Sequence, residues 1–310
     1  MRGRKIHREP KLFLLVKIFG IVSLLLVVFY FVKNREYFSS TISGKGRLAV
    51  LLYSSKDSVL AVLDPNGGSL SLFGIPGDLY VEVSKGYGSY KFNSVYKLGD
   101  LDGKGNAFVR ATTSNLFGIP VDAVALISDE LNLNDDIDIN NARKYFFGVG
   151  KSNFGFFRFW WNARNVKPKD TRIVNLKKTD SVSDLVLPDG SKAFKFDNFF
   201  YDRQEAPVVR DSLMISEGLK AEVMNGSNIS GLGEKFSRFL TNFGISVFSV
   251  SNAESSLSVC RIKYDEKFKT SYTLFRLVKD FSCTYEPYAS DDVVKADLTI
   301  ILGESFEEKN

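Results

Sequence analysis

The stretch that decides the fold runs from Ser58 to Val83 and reads SVLAVLDPNGGSLSLFGIPGDLYVEV. Two apolar runs rich in Val and Leu flank Pro-Asn-Gly-Gly at 65–68, the composition of a hairpin turn between strands. A second junction follows at 74–78, where Pro76 fixes φ, Gly77 permits φ > 0 and Asp78 adds one carboxylate. This junction is either a surface turn or the rim of an active site towards which Asp78 is directed.

Further strands and helices are predicted on both sides of this stretch. A strand precedes it at Leu48, and the segment 91–98 continues the strand pattern. Helices are predicted over the ranges 107–117, 229–242 and 267–280. Strands are predicted over the ranges 121–128, 219–225, 245–251, 258–264 and 296–302. Strands that alternate with helices predict an α/β fold.

The sequence divides into segments of different composition. The predicted segments are a basic tail (1–11), a transmembrane anchor (12–32), a polar stalk (33–47), an α/β domain (48–180), a connector (181–218) and a smaller C-terminal α/β domain (219–306). A length of 310 residues and a hydrophobic content of 44% suit about two folded domains.

The anchor prediction rests on the run LFLLVKIFGIVSLLLVVFYFV at 12–32, in which only Lys17 is charged. About 20 apolar residues span a bilayer. A cleaved signal peptide is the alternative, but its apolar region would be shorter and would end in small residues. We expect an uncleaved anchor with a cytoplasmic N-terminus, because basic residues flank it on that side. The remainder of the chain would then be extracytoplasmic.

The net charge of +5 does not indicate nucleic-acid binding. Five basic residues and one Glu lie within the first eleven positions, so part of the excess belongs to the predicted cytoplasmic tail. His7 is the only histidine, which excludes Ser-His-Asp, Cys-His and Cys/His zinc chemistry from the rest of the chain. Cys260 and Cys283 are the only cysteines, and they are either a disulfide or two buried thiols.

Four blocks resemble the LytR-CpsA-Psr (LCP) family of bacterial envelope proteins, over roughly residues 48–128. They are Asp57-Ser58, Gly-Ile-Pro-Gly-Asp at 74–78, Lys-Phe-Asn-Ser-Val-Tyr at 91–96 and Asn-Leu-Phe-Gly-Ile-Pro-Val-Asp at 115–122. A second set resembles the LytR C-terminal domain. It comprises Val-Met-Asn-Gly-Ser at 223–227, Ser-Gly-Leu-Gly at 230–233, Asn-Phe-Gly at 242–244 and Ala-Asp-Leu-Thr-Ile-Ile-Leu-Gly at 296–303.

The resemblance implies a chemistry. Enzymes of this family move a glycopolymer from a polyprenyl-phosphate lipid to peptidoglycan, with Mg²⁺ on the pyrophosphate. By position, Asp57 and Asp78 match the catalytic and metal-binding carboxylates. Lys91 and Asn93 match a polar pair that binds substrate. Arg110 and Arg158 are further candidates for holding phosphate, because a guanidinium binds two phosphate oxygens at once.

The chain also departs from the family pattern. Gly77 stands where the family has an arginine that grips phosphate, and the later blocks of the family with further arginines have no counterpart here. A site without these cations would stabilise a pyrophosphate less well by several kcal/mol, on the scale of lost charge-assisted contacts. The resemblance therefore implies a degenerate LCP-like domain.

Three functions stay open at this point. The first is a non-catalytic envelope protein that binds or scaffolds wall polymer, peptidoglycan or protein partners. The second is a Mg²⁺-dependent phosphotransferase with a rearranged site. The third is an isoprenoid-binding module whose aromatic run at 154–161 lines a lipid groove. The missing cations favour the first.

Overall fold

The computed structural model describes residues 46–127, 130–132, 171–304 and 306, together with Ser23. Apart from Ser23, the predicted anchor over 12–32 lies outside these ranges. Within them, no helix combines the length and the apolar character that crossing a bilayer requires. The predicted mixture of helices and sheets is confirmed, and the described residues from 46 onwards form one compact unit.

The strands of the described ranges lie in three sheets. In chain order they are β1 (Leu48–Tyr53), β2 (Ser58–Asp64), β3 (Ser69–Ile75), β4 (Leu79–Glu82), β5 (Ser89–Lys91), β6 (Ala123–Leu126), β7 (Thr171–Asn175), β8 (Val182–Val186), β9 (Lys192–Phe196), β10 (Lys220–Asn225), β11 (Ser246–Asn252), β12 (Arg261–Tyr264), β13 (Thr284–Pro287) and β14 (Leu298–Leu302).

Most of the α-helices in the described ranges are short. They are α1 (Val95–Asp100), α2 (Gly105–Phe117), α3 (Asn198–Gln204), α4 (Ser212–Glu217), α5 (Leu232–Phe243) and α6 (Tyr272–Phe281). Single turns of 3₁₀-helix lie at 84–86, 92–94, 176–178, 206–209 and 266–268.

The first sheet has the order β6-β1-β2-β3-β7, with β1, β2 and β3 antiparallel and the outer two strands parallel to their neighbours. Every residue of β2 is buried. Leu60 and Val62 belong to one hydrophobic cluster, and Val59 and Leu63 belong to another. Successive side chains of a strand point to opposite faces. The continuous apolar runs in the sequence therefore reflect a sheet that is covered on both sides.

The second sheet, in the order β5-β4-β9-β8, corrects one prediction. The segment 91–98 does not continue as a strand, because β5 ends at Lys91 and a 3₁₀ turn and α1 follow. Phe92 and Val95 are both fully buried in the main cluster. A spacing of three residues puts both on one helical face, whereas it would put them on opposite faces of a strand.

The segment 181–218 contributes β8, β9, α3 and α4, and β9 pairs in parallel with β4 of the second sheet. Tyr201 of α3 is fully buried against the rings of Phe73, Phe117 and Phe196. This segment therefore takes part in the core. The domain boundaries that we drew from the sequence stay a prediction.

The third sheet, in the order β11-β10-β14-β12-β13, belongs to the C-terminal part of the chain. Its predicted helices and strands are present, and β13 is an additional strand that the sequence did not suggest. A disulfide joins Cys260 and Cys283, which directly precede the paired strands β12 and β13. The two cysteines are 23 positions apart in the sequence. A disulfide that closes a loop of about this length stabilises the folded state by roughly 3 kcal/mol.

Two fully buried arginines connect the first and third sheets. The guanidinium groups of Arg47 and Arg276 lie 4.5 and 5.1 Å from the ring centre of Phe243, at the end of α5. Arg276 Nη1 donates to the carbonyl oxygen of Arg47 at 3.0 Å. Its Nε donates to Asp280 at 2.7 Å, and its Nη2 lies 3.6 Å from Asp122.

Burial lowers the pKa of the Arg47 guanidinium, and the like charge of Arg276 lowers it further. Burial acts in the same direction on Arg276, but the nearby carboxylates of Asp280 and Asp122 outweigh it, so the pKa of Arg276 is raised. The carboxylates of Asp122, Asp211 and Asp280 act against the effect of burial at both guanidinium groups.

We expect Arg276→Met to lower the free energy of unfolding by about 3–5 kcal/mol, because it leaves buried carboxylates without their cation. The measurement is urea unfolding of the full chain in detergent. The matched control is Arg261→Met, which removes an exposed ion pair with Glu286 and should cost at most about 1 kcal/mol. Equal midpoints for the two variants would contradict this account.

Candidate functional site

Three of the predicted site residues, Asp57, Asp78 and Asn93, lie where the turn after β3 meets the start of β2. The carboxylate of Asp57 is 4% exposed, and its Oδ1 accepts a hydrogen bond from the backbone N–H of Gly77 at 2.8 Å. The carbonyl oxygen of Gly77 accepts from the N–H of Asn93 at 2.9 Å. The turn is thus held from both sides by two of the predicted residues.

Gly77 is needed here because of close packing and not because of its backbone angles. Its φ is outside the left-handed region, contrary to the role that turn chemistry suggested. A Cβ at this position would overlap the carbonyl oxygen of Lys56 and would lie 3.1 Å from the Cβ of Asn93. An arginine therefore cannot replace Gly77 unless the backbone moves.

Asp78 lies on the outer side of this turn. Its side chain is 40% exposed, and its Oδ1 lies 4.0 Å from the Nζ of Lys177. Lys177 also lies over the ring of Phe194, with Nζ 5.3 Å from the ring centre. The site therefore has a cation beside Asp78, although Gly77 does not supply it.

Lys177 is the residue that the sequence analysis missed. It lies in the 3₁₀ turn after β7, where Asn175 caps the turn by accepting from the N–H of Lys177 at 3.1 Å. Parallel pairing of β3 with β7 puts Asn175 opposite Gly74 and so brings this turn beside Asp78. About 100 residues separate Lys177 from Asp78, so no local spacing could have indicated the pair.

The other predicted substrate-binding residues lie in different surroundings. Lys91 ends β5 opposite Tyr80. Hydrogen bonds from Ser191 lower the pKa of Asp189, and the charge of Lys91 lowers it further. Arg110 lies on the exposed face of α2. Arg158 lies outside the described residues.

The donor set at Asp57 and Asp78 suits the predicted Mg²⁺ only in part. Carboxylate oxygens are suitable ligands, and Mg²⁺ is often held by one or two carboxylates together with phosphate oxygens. Asp57 and Asp78 have the right chemistry, but one oxygen of Asp57 is engaged by Gly77. Among the residues that the structure describes, no three or more His, Cys, Asp or Glu side chains form a group that could hold a metal. A Mg²⁺ site at Asp57 and Asp78 therefore stays a prediction.

An open cavity of about 500 Å³ lies along β7 and the turn that follows it. Its polar lining residues are Arg172, Asn175, Lys178, Thr179 and Glu205. Arg172 lies 3.9 Å from Glu205, which leaves the cavity with a mixed charge. Lys178 of the cavity directly follows Lys177 of the Asp78 pair, so the two features share one turn.

Other family-like blocks have structural roles. Gly118 ends α2 in the left-handed region at φ 62°. Asp122 accepts from the N–H of Ala49 at 2.7 Å and faces Arg276. The Asn225–Gly226 pair forms a turn, in which the side chain of Asn225 bonds to Ser227 and Ile229. These residues support the packing between segments.

We expect Gly77→Ala to lower the free energy of unfolding by more than about 2 kcal/mol, because the added methyl group would push the Lys56 carbonyl away. Urea unfolding measures this. Gly88→Ala is the matched control, since its Cβ would meet open space at φ 86° and should cost only the strain of about 1–2 kcal/mol. A Gly77→Ala chain as stable as the wild type would refute the packing argument.

One family model matches the C-terminal part of the chain. Residues 218–306 match the LytR_C family model, whose description is LytR cell envelope-related transcriptional attenuator. No curated protein sequence matches the chain.

Several solved structures are distantly similar. The transcriptional regulator yvhJ from Bacillus subtilis is 13% identical, with 51% of this chain and 94% of that chain covered and a TM-score of 0.38. TagV from B. subtilis is 11% identical, with 65% of this chain and 99% of that chain covered and a TM-score of 0.40. TagT from B. subtilis, in a structure bound to LIIa-WTA, is 15% identical, with 50% of this chain and 87% of that chain covered and a TM-score of 0.33.

These structural likenesses are too distant to carry a functional argument. The family match is limited to the segment that we expected to resemble a LytR C-terminal domain. The predicted resemblance is therefore confirmed, and residues 218–306 of this chain match the LytR_C family model.

Proposed function

We propose that this protein is a membrane-anchored, extracytoplasmic cell-envelope protein that binds or scaffolds components of wall-polymer assembly without catalysing transfer. Its partners would be a polyprenyl-linked glycopolymer, peptidoglycan or envelope proteins. The anchor is the predicted span at 12–32, and the envelope role follows from the LytR_C match.

The disulfide supports the extracytoplasmic location. Stable disulfides form in oxidising compartments and are rare in the cytoplasm. Cys260 and Cys283 are the only cysteines of the chain, and both are used in this bond. The predicted topology would put them on the oxidising side of the membrane.

The packing of Gly77 is the observation that carries the non-catalytic proposal. Its backbone contacts the Lys56 carbonyl and accepts from Asn93, in a space that has no room for a side chain. The phosphate-gripping arginine that the resemblance implies therefore has no room at this position. An oxyanion that loses a charge-assisted contact loses roughly 1.5–3 kcal/mol of stabilisation.

Lys177 does not replace this arginine fully. A primary ammonium is a point charge and lacks the paired donors that bind two phosphate oxygens. Lys177 is also close to Asp78, so part of its charge is already compensated. The two cations of the neighbouring cavity, Arg172 and Lys178, suit loose contact with an anionic polymer better than a tight grip on one pyrophosphate.

One observation favours the phosphotransferase as a second candidate. Asp78 and Lys177 together provide a carboxylate and a cation on the same rim, with Asp57 held behind them. If Mg²⁺ binds there, Asp57 and Asp78 would hold it together with phosphate oxygens of the substrate, and the ion would neutralise their charge. The isoprenoid-binding alternative depends on the aromatic run at 154–161, which lies outside the described residues.

The test is a titration of the full chain in detergent with polyprenyl pyrophosphate, with and without Mg²⁺, followed by a transfer assay with peptidoglycan as acceptor. We expect at most weak binding of this lipid, changed less than about tenfold by Mg²⁺, and we expect no transfer product. We also expect the chain to sediment with peptidoglycan that carries wall polymer.

Asp78→Ala is the informative variant, and Asp184→Ala is its control, since Asp184 is exposed on β8. Binding that requires Mg²⁺, is lost in Asp78→Ala and yields a transfer product would overturn the proposal in favour of the enzyme. Tight binding of the lipid without Mg²⁺ and with no effect of Asp78→Ala would support the lipid module instead.

A further inference from the structure

The chain contains two Asn-Gly pairs, Asn66–Gly67 and Asn225–Gly226, and the structure holds them very differently. An Asn-Gly pair can react with itself, because the backbone nitrogen of the glycine can attack the side-chain carbonyl carbon of the asparagine. Glycine favours this reaction, since it has no Cβ to shield its nitrogen or to restrict its backbone. Whether a pair reacts in a folded protein depends on what holds the amide group and the N–H group.

The second pair is held in an unreactive arrangement. The side-chain amide of Asn225 donates to the carbonyl oxygen of Ile229 at 2.9 Å, and its Oδ1 accepts from the N–H and the hydroxyl of Ser227 at 3.1 and 2.6 Å. The nitrogen that would attack belongs to Gly226, which is buried and donates to the carbonyl oxygen of Leu302 at 3.0 Å. A backbone carbonyl does not act as a base, so this N–H keeps its proton.

The first pair lies exposed in the hairpin turn between β2 and β3. The N–H of Gly67 donates to Oδ1 of Asp64 at 3.0 Å. A Cβ at Gly67 would lie 2.6 Å from Oδ2 of the same carboxylate, so the close approach requires a glycine. The attacking nitrogen therefore has a carboxylate within hydrogen-bond distance, and a positioned carboxylate is able to act as a general base.

The leaving group of the same reaction faces a hydroxyl group. The side-chain nitrogen of Asn66 donates to Oγ of Ser212 at 3.0 Å, and this hydroxyl donates to Oδ1 of Asp64 at 2.9 Å. Ser212 comes from α4, which is 146 positions away from Asn66 in the sequence. One carboxylate oxygen thus contacts the N–H that must lose its proton, and the hydroxyl bonded to it contacts the nitrogen that must receive a proton.

We propose that the Asn66–Gly67 pair is a self-modification site, with Asp64 as its base and Ser212 as its proton donor. The Gly67 nitrogen bonds to the side-chain carbonyl carbon of Asn66, and the bond from that carbon to the amide nitrogen breaks. Asp64 accepts the proton of the Gly67 N–H. The Ser212 hydroxyl passes a proton to the departing nitrogen, which leaves as ammonia, and regains one from Asp64.

The product of this step is a cyclic imide between the two residues. A water molecule then opens the imide at either of its carbonyl carbons, which yields aspartate or isoaspartate at position 66. No oxidant, reductant or further co-reactant is needed, because the amide nitrogen leaves with the proton that the backbone nitrogen loses.

The modification would act on a contact between distant parts of the fold. Asp64 ends β2, and its Oδ2 also accepts from the N–H of Ser212 at 3.2 Å, at the start of α4. A carboxylate at position 66 would no longer donate to Ser212 and would put a second negative charge beside Asp64. The modified hairpin would therefore bind α4 less firmly. This proposal does not depend on whether the candidate site is catalytic.

The first test follows both Asn-Gly pairs in the full chain in detergent at mildly alkaline pH. Peptide mass spectrometry measures the conversion of the amide to the acid, and an isoaspartate-specific methyltransferase identifies the isomer. We expect Asn66 to react at least about tenfold faster than Asn225, which is the control within the same molecule. Unfolding in urea should remove this difference, since both pairs then have only their local sequence. Equal rates in the folded chain, or an unmodified Asn66, would overturn the proposal.

The second test removes the base and keeps its shape with Asp64→Asn, in a chain whose folding is checked by urea unfolding. We expect the rate at Asn66 to fall at least about tenfold, because a neutral amide does not take up the Gly67 proton. Ser212→Ala, which leaves Asp64 in place, should also slow the reaction, and Ser212→Thr, which retains the hydroxyl, should restore it. A purely structural role of Asp64 predicts the opposite, since a looser turn reacts faster. Variants at both positions that react as fast as the wild type would therefore contradict the assigned roles.

Discussion

The packing of two guanidinium groups on the ring of Phe243 holds the two halves of this protein together. Arg47 precedes β1, and Arg276 lies in α6, yet both are fully buried at one point. A buried charge is costly unless it is paired and hydrogen-bonded. The guanidinium of Arg47 donates to the carbonyl oxygens of Val209 and Pro120. The guanidinium of Arg276 donates to Asp280 and lies beside Asp122.

Further contacts from α5 pack the LytR_C segment against the rest of the fold. Arg238 of α5 donates to Asp202 and to the last carbonyl oxygens of α2, at Asn115 and Leu116. Asn242 donates to Phe117 and Asp202. The block at 115–122 that resembles a known family therefore serves as the contact surface between segments. A resemblance of this block to a family says nothing on its own about catalysis.

The candidate site depends on close packing around the turn at Gly77. Asp57 is buried because it caps the N–H of Gly77, and Gly77 is a glycine because the Lys56 carbonyl fills the space of a side chain. The carboxylate that faces solvent is Asp78, and its cation comes from the turn after β7. One of the two predicted carboxylates thus maintains the turn, and the other lies beside a lysine at the surface.

The sequence by itself determined the fold class, the hairpin at 65–68, the helices near 107–117 and 229–242, and the LytR_C segment. These features depend on local composition and spacing, which a single sequence displays directly. The prediction of a strand over 91–98 was wrong, because the pattern of a short apolar segment fits a strand as well as a helix until its buried neighbours are known. It also left the two cysteines undecided, since their pairing depends on the adjacency of β12 and β13.

Only the tertiary structure decided which charged residues meet. Lys177 reaches Asp78 through the pairing of β3 with β7, and Arg47 reaches Arg276 across 229 positions of sequence. The tertiary structure also showed that the backbone carbonyl group of Lys56 fills the space beside Gly77. Contacts between residues far apart in the chain depend on how strands pair and helices pack, and the spacing of residues along a single sequence does not record that.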